Sequence, residues 1–258
     1  MNWFRIFDLH MLAVTVVALA ATWLCIRFGV QADLPFELIA IAVVFPTAFS
    51  ISAAHRRREE ALATLASLRS MIASIYYAHR DWIGDDDGAH ARRASELGAC
   101  LYRAACAALA CRPEMRPVTR AQVSAAFSDI SLSIEAAREA GMPGSETSRI
   151  NQFLNLAIRD FERLRTIADY RTSDSMRAYS KVFLNVFPIL FAPFYAHVAA
   201  DAGNPLFGYG VALAFALVLV GLDNVQDGLD NPFDARGADD VRLNDGEDLF
   251  WLGDRPGS

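Results

Sequence analysis

The chain has 258 residues, of which 53% are hydrophobic, and a formal net charge of −6. Its mean hydropathy of +0.22 lies above the usual range of soluble domains, so membrane residence is the first expectation. No domain-wide basic surface is present, which excludes a nucleic-acid-binding role.

The apolar residues gather in four runs, 9–26, 38–54, 182–200 and 206–222. Each approaches the roughly 20 residues that cross about 30 Å of hydrocarbon. The expected fold is therefore an all-α membrane protein with four transmembrane helices. They are a little short, and Arg27 and Glu37 are placed to snorkel to the interface. The first run also admits a signal-peptide reading, with Val30-Gln31-Ala32 as a cleavage site. The long apolar run, led by one arginine against one aspartate, favours a span.

Of 24 Lys and Arg residues, 19 fall between 56 and 181; the others are Arg5, Arg27, Arg236, Arg242 and Arg255. The loops 29–37 and 201–205 have none. The positive-inside rule then puts the middle and both termini in the cytoplasm, consistent with four crossings. The expected segments are 1–54 with two spans, a cytoplasmic helical region 55–181, two spans in 182–222, and an acidic cytoplasmic tail 223–258.

In the second run, Ile41, Phe45 and Phe49 recur at i, i+4 and i+8 and stack on one helix face. Ala42, Ala48, Ser50, Ser52 and Ala53 around them are small, which favours close helix approach. The stripe fits a helix facing lipid or a neighbour. If several copies surround an axis, it fits three apolar rings that gate ions by dewetting. "HRRREE" follows. His55, Arg56, Arg57 and Arg58 suit either lipid headgroups or a vestibule that concentrates anions.

The middle reads as helices. Leu62, Leu65, Leu68, Ile72, Ile75 and Tyr76 continue the second span as one long helix, stopped by "GDDDG" at 84–88. Helices over 91–111, 121–140 and 148–170 follow, with Pro113 and Pro117 in one link and "GMPG" at 141–144 in another. Cys25, Cys100, Cys106 and Cys111 form no CxxC pair and are expected as free thiols. The histidines show no metal-ligand spacing, and no nucleophile motif appears, so no enzyme is expected. In the third run, Pro188 and Pro193 should bend the helix, with Asn185 nearby. After the fourth, Asp223, Asp227 and Asp230 are spaced i, i+4, i+7. They line one helix face, read as a collar at an inner mouth against the arginine-rich block.

This layout resembles the bestrophin family, in particular its bacterial branch. "GLDNVQDGLDNPFDARGADDVRLND" is similar to the family pattern ending the fourth span, including Asn-Pro-Phe. "FERLR" and "RTSDSMRAYSKVFLNVFPILFAPF" are similar to the Glu-Arg segment and the third span. In "FSISAAHRRREEA", Phe49, Arg57, Glu60 and Ala61 agree with the family's post-neck helix, whereas His55 stands for a tyrosine and Ser50 for an arginine. The resemblance implies a homopentameric ion channel whose neck falls on Ile41, Phe45 and Phe49, with a cytoplasmic aperture matched to Ile150. It implies passive permeation, anions such as chloride being favoured; the alternatives are a cation-permeable channel and a non-conducting scaffold or accessory subunit. The partners implied are further copies of the chain, membrane lipids and permeating ions. No cofactor is required. Calcium, which eukaryotic members hold after Asn-Pro-Phe, would fall on Asp234, Asp239 and Asp240, but Arg236 and Gly237 interrupt the cluster.

Overall fold

The computed structural model describes residues 9–33, 36–83, 88–111, 113–170, 174–229, 232–233, 240–241 and 243. Eight α-helices lie among them: α1 Leu9–Phe28, α2 Phe36–Asp81, α3 Ala89–Ala110, α4 Arg116–Glu139, α5 Gly144–Asp169, α6 Asp174–Leu190, α7 Ala192–Asp201 and α8 Pro205–Leu229. No strand occurs among the described residues. The chain divides into two compact units. One comprises 1–56, 171–231 and 236–239; the other comprises 57–170, 232–235 and 240–258.

In the first unit, α1 packs against α6, α7 and α8, and α8 also packs against α6 and α7. The buried face of α1 is narrow: Met11, Val14, Thr15, Ala18 and Thr22. Thr15 and Thr22 donate their hydroxyls to Met11 O and Ala18 O, at 2.7 and 2.8 Å, so neither needs water. Meanwhile Leu9, Leu12, Val16 and Trp23 stay exposed. Large apolar side chains turned outward on so apolar a helix is the pattern of helices packed in lipid, where no hydrophobic force separates the two faces. Among the described residues, Leu9–Phe28, Lys181–Asp201 and Pro205–Gln226 are long and apolar enough to cross a membrane. The chain is an integral membrane protein.

The third apolar run is disturbed at Phe191, although Phe191 N–H still donates to Phe187 O and Tyr195 N–H to Phe191 O across the disturbance. α6 ends at Leu190 and α7 begins at Ala192, with Phe191 between them. Pro188 lies inside α6 and Pro193 sits in the first turn of α7. Neither proline can donate a backbone N–H, and the first turn of a helix is where that loss matters least. An aromatic ladder spans the break: Tyr179, Phe183, Phe187 and Phe191 stack at i, i+4 spacing with centroids 4.1, 4.8 and 5.6 Å apart. Phe191 and Tyr195 then meet Phe215 of α8.

The second unit is a helical bundle. α3 packs on α4 and α5, and α4 packs on α5. Leu65, Leu68, Ile72 and Tyr76 of α2 join Leu101, Ile130, Ile134, Leu154 and Leu164 in one core. The long helix expected from the second run is present as α2, 46 residues without a break. Pro117 does not sit in a linker: it occupies the first turn of α4, where its fixed φ suits helix initiation. Gly141 ends α4 with φ 103, which a side chain would strain. Phe233 and Val241, from after the fourth span, are buried in this same core, and Val241 N–H donates to Pro232 O at 2.8 Å.

Candidate functional site

On α2, Phe45 and Phe49 are 60% and 57% exposed, while Thr47, Ser50 and Ala54 are 2%, 1% and 2% exposed. The two rings meet edge to face, with centroids 5.2 Å apart. Thr47, Ser50 and Ala54 thus face inward, whereas the phenylalanines, with Ala48 and Ser52, face outward. Ile41 is on α2, but its side chain lies outside the described residues.

The outward face does not stop at Phe49. Ser52, His55, Arg56, Glu59, Glu60 and Ala63 are all exposed and continue it at three- and four-residue steps. Four consecutive helical residues spread over about 300° of arc, so His55 to Arg58 cannot all share one face. His55 and Arg56 share the face with the phenylalanines. Arg57 and Arg58 are half-buried, and Arg58 bonds Glu59 at 2.7 Å. Glu60 receives Arg163 Nε at 2.8 Å. Glu59 was not singled out from the sequence, and Glu60 only through the family resemblance, although their spacing from Arg56 (i+3, i+4) was there to read.

At one end of the membrane unit, three helices are joined by side-chain hydrogen bonds. Asn185 Nδ2 on α6 donates to Asp223 Oδ2 on α8 at 2.8 Å and to Lys181 O at 2.8 Å. Asn185 Oδ1 lies 2.8 Å from His10 Nε2 on α1. Since an amide oxygen only accepts, Nε2 carries the proton of that bond. Asp223 is 3% exposed, so it is turned into the bundle. The side chain of Asp227, on α8, and all of Asp230 lie outside the described residues. Near the opposite ends of α1 and α6, Ala32 N–H donates to Pro193 O at 3.3 Å.

Ile150 requires a correction. It is 0% exposed in the second unit's core, on the α5 face that also carries Leu154, Ala157, Phe161 and Leu164. A side chain enclosed by its own chain has no surface to offer an aperture. The match of "INQFL" took no account of which α5 face the core occupies.

Asp234 and Asp239 lie outside the described residues. Asp240 lines a groove with Arg58, Leu62, Arg69 and Val241; those arginines are unfavourable neighbours for a bound cation. Among the described residues, no group of three or more His, Cys, Asp or Glu side chains is placed to hold a metal.

No protein-family profile matches the chain, and no curated protein matches its sequence. Solved structures do match. A bacterial bestrophin homologue from Klebsiella pneumoniae, in a tryptophan-to-alanine variant, superposes with TM-score 0.80 at 15% identity, over 94% of this chain and 96% of that one. Another structure of that homologue gives TM-score 0.78 at 17% identity, over 98% and 99%. A third, a leucine-to-threonine variant, gives 0.78 at 16% identity, over 98% of both chains. With nearly the whole of each chain superposed, this protein has the fold of the bacterial bestrophin homologues.

Proposed function

We propose that this chain assembles as a homopentamer around a central pore and forms a bestrophin-type ion channel for passive permeation, with no cofactor required. The observation that carries the reading is the outward pair Phe45 and Phe49, at 60% and 57% exposure, on a helix whose Thr47, Ser50 and Ala54 face its own chain. In a lone subunit the pair would simply face lipid, as the exposed residues of α1 do. Around an axis it makes a dry constriction that wets and dewets. Ile41, one turn above, is the third ring of the neck. A scaffold needs no such constriction.

The four-crossing topology is supported by the hydrogen bonds at the two ends. α1 begins beside Asn185 and Asp223 and ends near the loop that bonds Pro193. Because α6 passes His10 at Asn185, these contacts favour a return crossing between α1 and that part of α6. α2 is the helix between them, and its first 18 residues are apolar apart from Glu37 and a few small polar side chains. The arginine distribution favours cytoplasmic termini, and the likeness to bacterial homologues favours a bacterial plasma membrane. In this reading 55–181 is cytoplasmic, 182–222 holds the last two spans, and 223–258 is the acidic tail. Asp227 and Asp230 are read at the inner mouth; Asp223, expected in the same collar, is instead buried in the bundle against Asn185.

Anion permeation, such as of chloride, is the preferred selectivity. His55 and Arg56 are the first charges below the phenylalanines on the same face, and ring edges carry positive quadrupole charge. Cation permeation is the second reading, favoured by Glu59 and Glu60 one turn further along that face. Purified protein in proteoliposomes under asymmetric potassium chloride decides between them. A reversal potential near the chloride equilibrium value is expected. One near the potassium value transfers selectivity to the glutamates. A stable pentamer by native mass spectrometry with no flux overturns the channel and leaves a scaffold.

A further inference from the structure

A cavity of about 400 Å³ lies within the second unit, between the end of α2, the start of α3 and the middle of α4. Its inner end is formed by His79 and Ser133, at 1% and 9% exposure. Asp129, Arg93 and Leu132 stand at its exposed outer end. Nothing in the channel reading uses it.

The proton positions at the inner end follow from the bonds. His79 Nδ1 is 2.8 Å from Ile75 O and Nε2 is 3.4 Å from Ser133 O; both carbonyls only accept, and a neutral ring has one hydrogen, which the shorter contact places on Nδ1. In the neutral ring Nε2 is then a bare lone pair. Its nearest polar neighbours are Ser133 O at 3.4 Å and Ser133 Oγ at 3.5 Å. The hydroxyl proton of Ser133 goes to Ile130 O at 2.7 Å. The inner end thus presents three acceptors and no donor. An anion would set lone pairs against lone pairs. Only a group rich in N–H or O–H satisfies it, and the Asp129 carboxylate at the rim adds negative charge. Arg93 is directed in part to Glu96, 3.7 Å away. The walls between are apolar, from Leu97, Leu132 and Ala136.

We propose that this cavity is a binding site for a small primary alkylammonium compound, its head group donating to His79 Nε2 and Ser133 O, with Asp129 closing over the charge and the alkyl chain against Leu97 and Leu132. Such a ligand would bridge α2 and α4 within the bundle. His79, His90, Arg93 and Asp129 are the titratable and charged groups facing it. Binding is lost when His79 takes a proton on Nε2, because the acceptor becomes a donor and a cation.

The test uses the full-length protein in lipid nanodiscs, with ¹⁵N-labelled histidine read by NMR and the His79 resonance assigned by its loss in His79→Gln. Propylammonium and propionate are titrated separately. The expected result is a saturable shift of the His79 Nε2 resonance with propylammonium and none with propionate. Asp129→Asn, an exposed change that leaves the core intact, should weaken binding about tenfold by removing one charge-assisted contact. Three results would overturn the site: no saturable shift with propylammonium, as for a cavity holding water alone; the same shift with propionate; or unchanged affinity in Asp129→Asn.

Discussion

Asn185 and Asp223 sit 38 positions apart in the chain and are joined at 2.8 Å, amide nitrogen to carboxylate, between α6 and α8. Asp223 is almost wholly buried, and a buried carboxylate demands hydrogen-bond donors. Replacing Asn185 by Leu removes one donor at nearly constant volume. The expected loss is about 0.5–2 kcal/mol, the range for a polar contact between helices in a membrane. It should appear as a lower thermal-unfolding midpoint in detergent. His10→Ala, at the exposed end of the same chain of bonds, should cost less. The reverse ranking would mean that the stabilising bond is the one to α1.

Phe45→Ala tests the constriction. The ring is exposed and touches Phe49 edge-on, so within the chain its loss should alter stability by no more than about 0.5 kcal/mol, plus a small edge-to-face contribution. The permeation path should widen and wet more readily. Single-channel conductance in planar bilayers is expected to rise with the unfolding midpoint nearly constant. An unaltered current would take Phe45 off the path.

The elements were legible because their causes are local. Proline at 188 and 193 marked the disturbed third run, and the apolar stripe from Leu62 to Tyr76 marked the length of α2. The outward pairing of Phe45 with Phe49 followed from a four-residue step. What was not legible depended on the partner. Asn185 and Asp223 are each ordinary polar residues at a helix end until α6 and α8 are laid together. Ile150 looked like a candidate because its neighbours matched a pattern, whereas its burial is decided by the α5 core face. His79 carries no signature at all. Its role is set by Ser133, 54 positions away, and by a cavity that no spacing encodes.

His79 also predicts a pH dependence. Burial holds its imidazole below the ordinary histidine value, offset in part by backbone bonds to Ile75 and Ser133 and reinforced by His90 nearby. An unfolded imidazole titrates near about pH 6.5. Above that value both states are neutral and His79 adds no pH dependence. Below it the unfolded chain binds a proton that the folded chain does not, so stability falls with pH until the folded value is reached. Wild type should therefore lose more thermal stability than His79→Gln between about pH 7 and pH 5. His90, Arg93 and Asp129 face the same cavity and are retained in both proteins, so the difference isolates His79. Parallel pH profiles would mean that the folded ring protonates as freely as the unfolded one.

Gly208 and Gly210 form a matched pair on α8. A Cβ at Gly208 would lie 2.5 Å from Tyr195 O and 2.8 Å from Ala199 Cβ, whereas one at Gly210 would meet nothing within 4 Å. The first contact is with backbone, which cannot swing aside, so α7 and α8 must part to accommodate it. Gly208→Ala is expected to destabilise by about 1–3 kcal/mol, the usual cost of overfilling a packed site. Gly210→Ala removes helix-interior glycine without a clash and should stabilise by up to about 1 kcal/mol. Opposite shifts of the unfolding midpoint from two identical substitutions, two residues apart, would establish that α8 seats against α7 through the bare backbone at Gly208. Equal shifts would mean that α7 yields freely at that contact, and that the aromatic cluster of Phe191, Tyr195 and Phe215 holds the pair together.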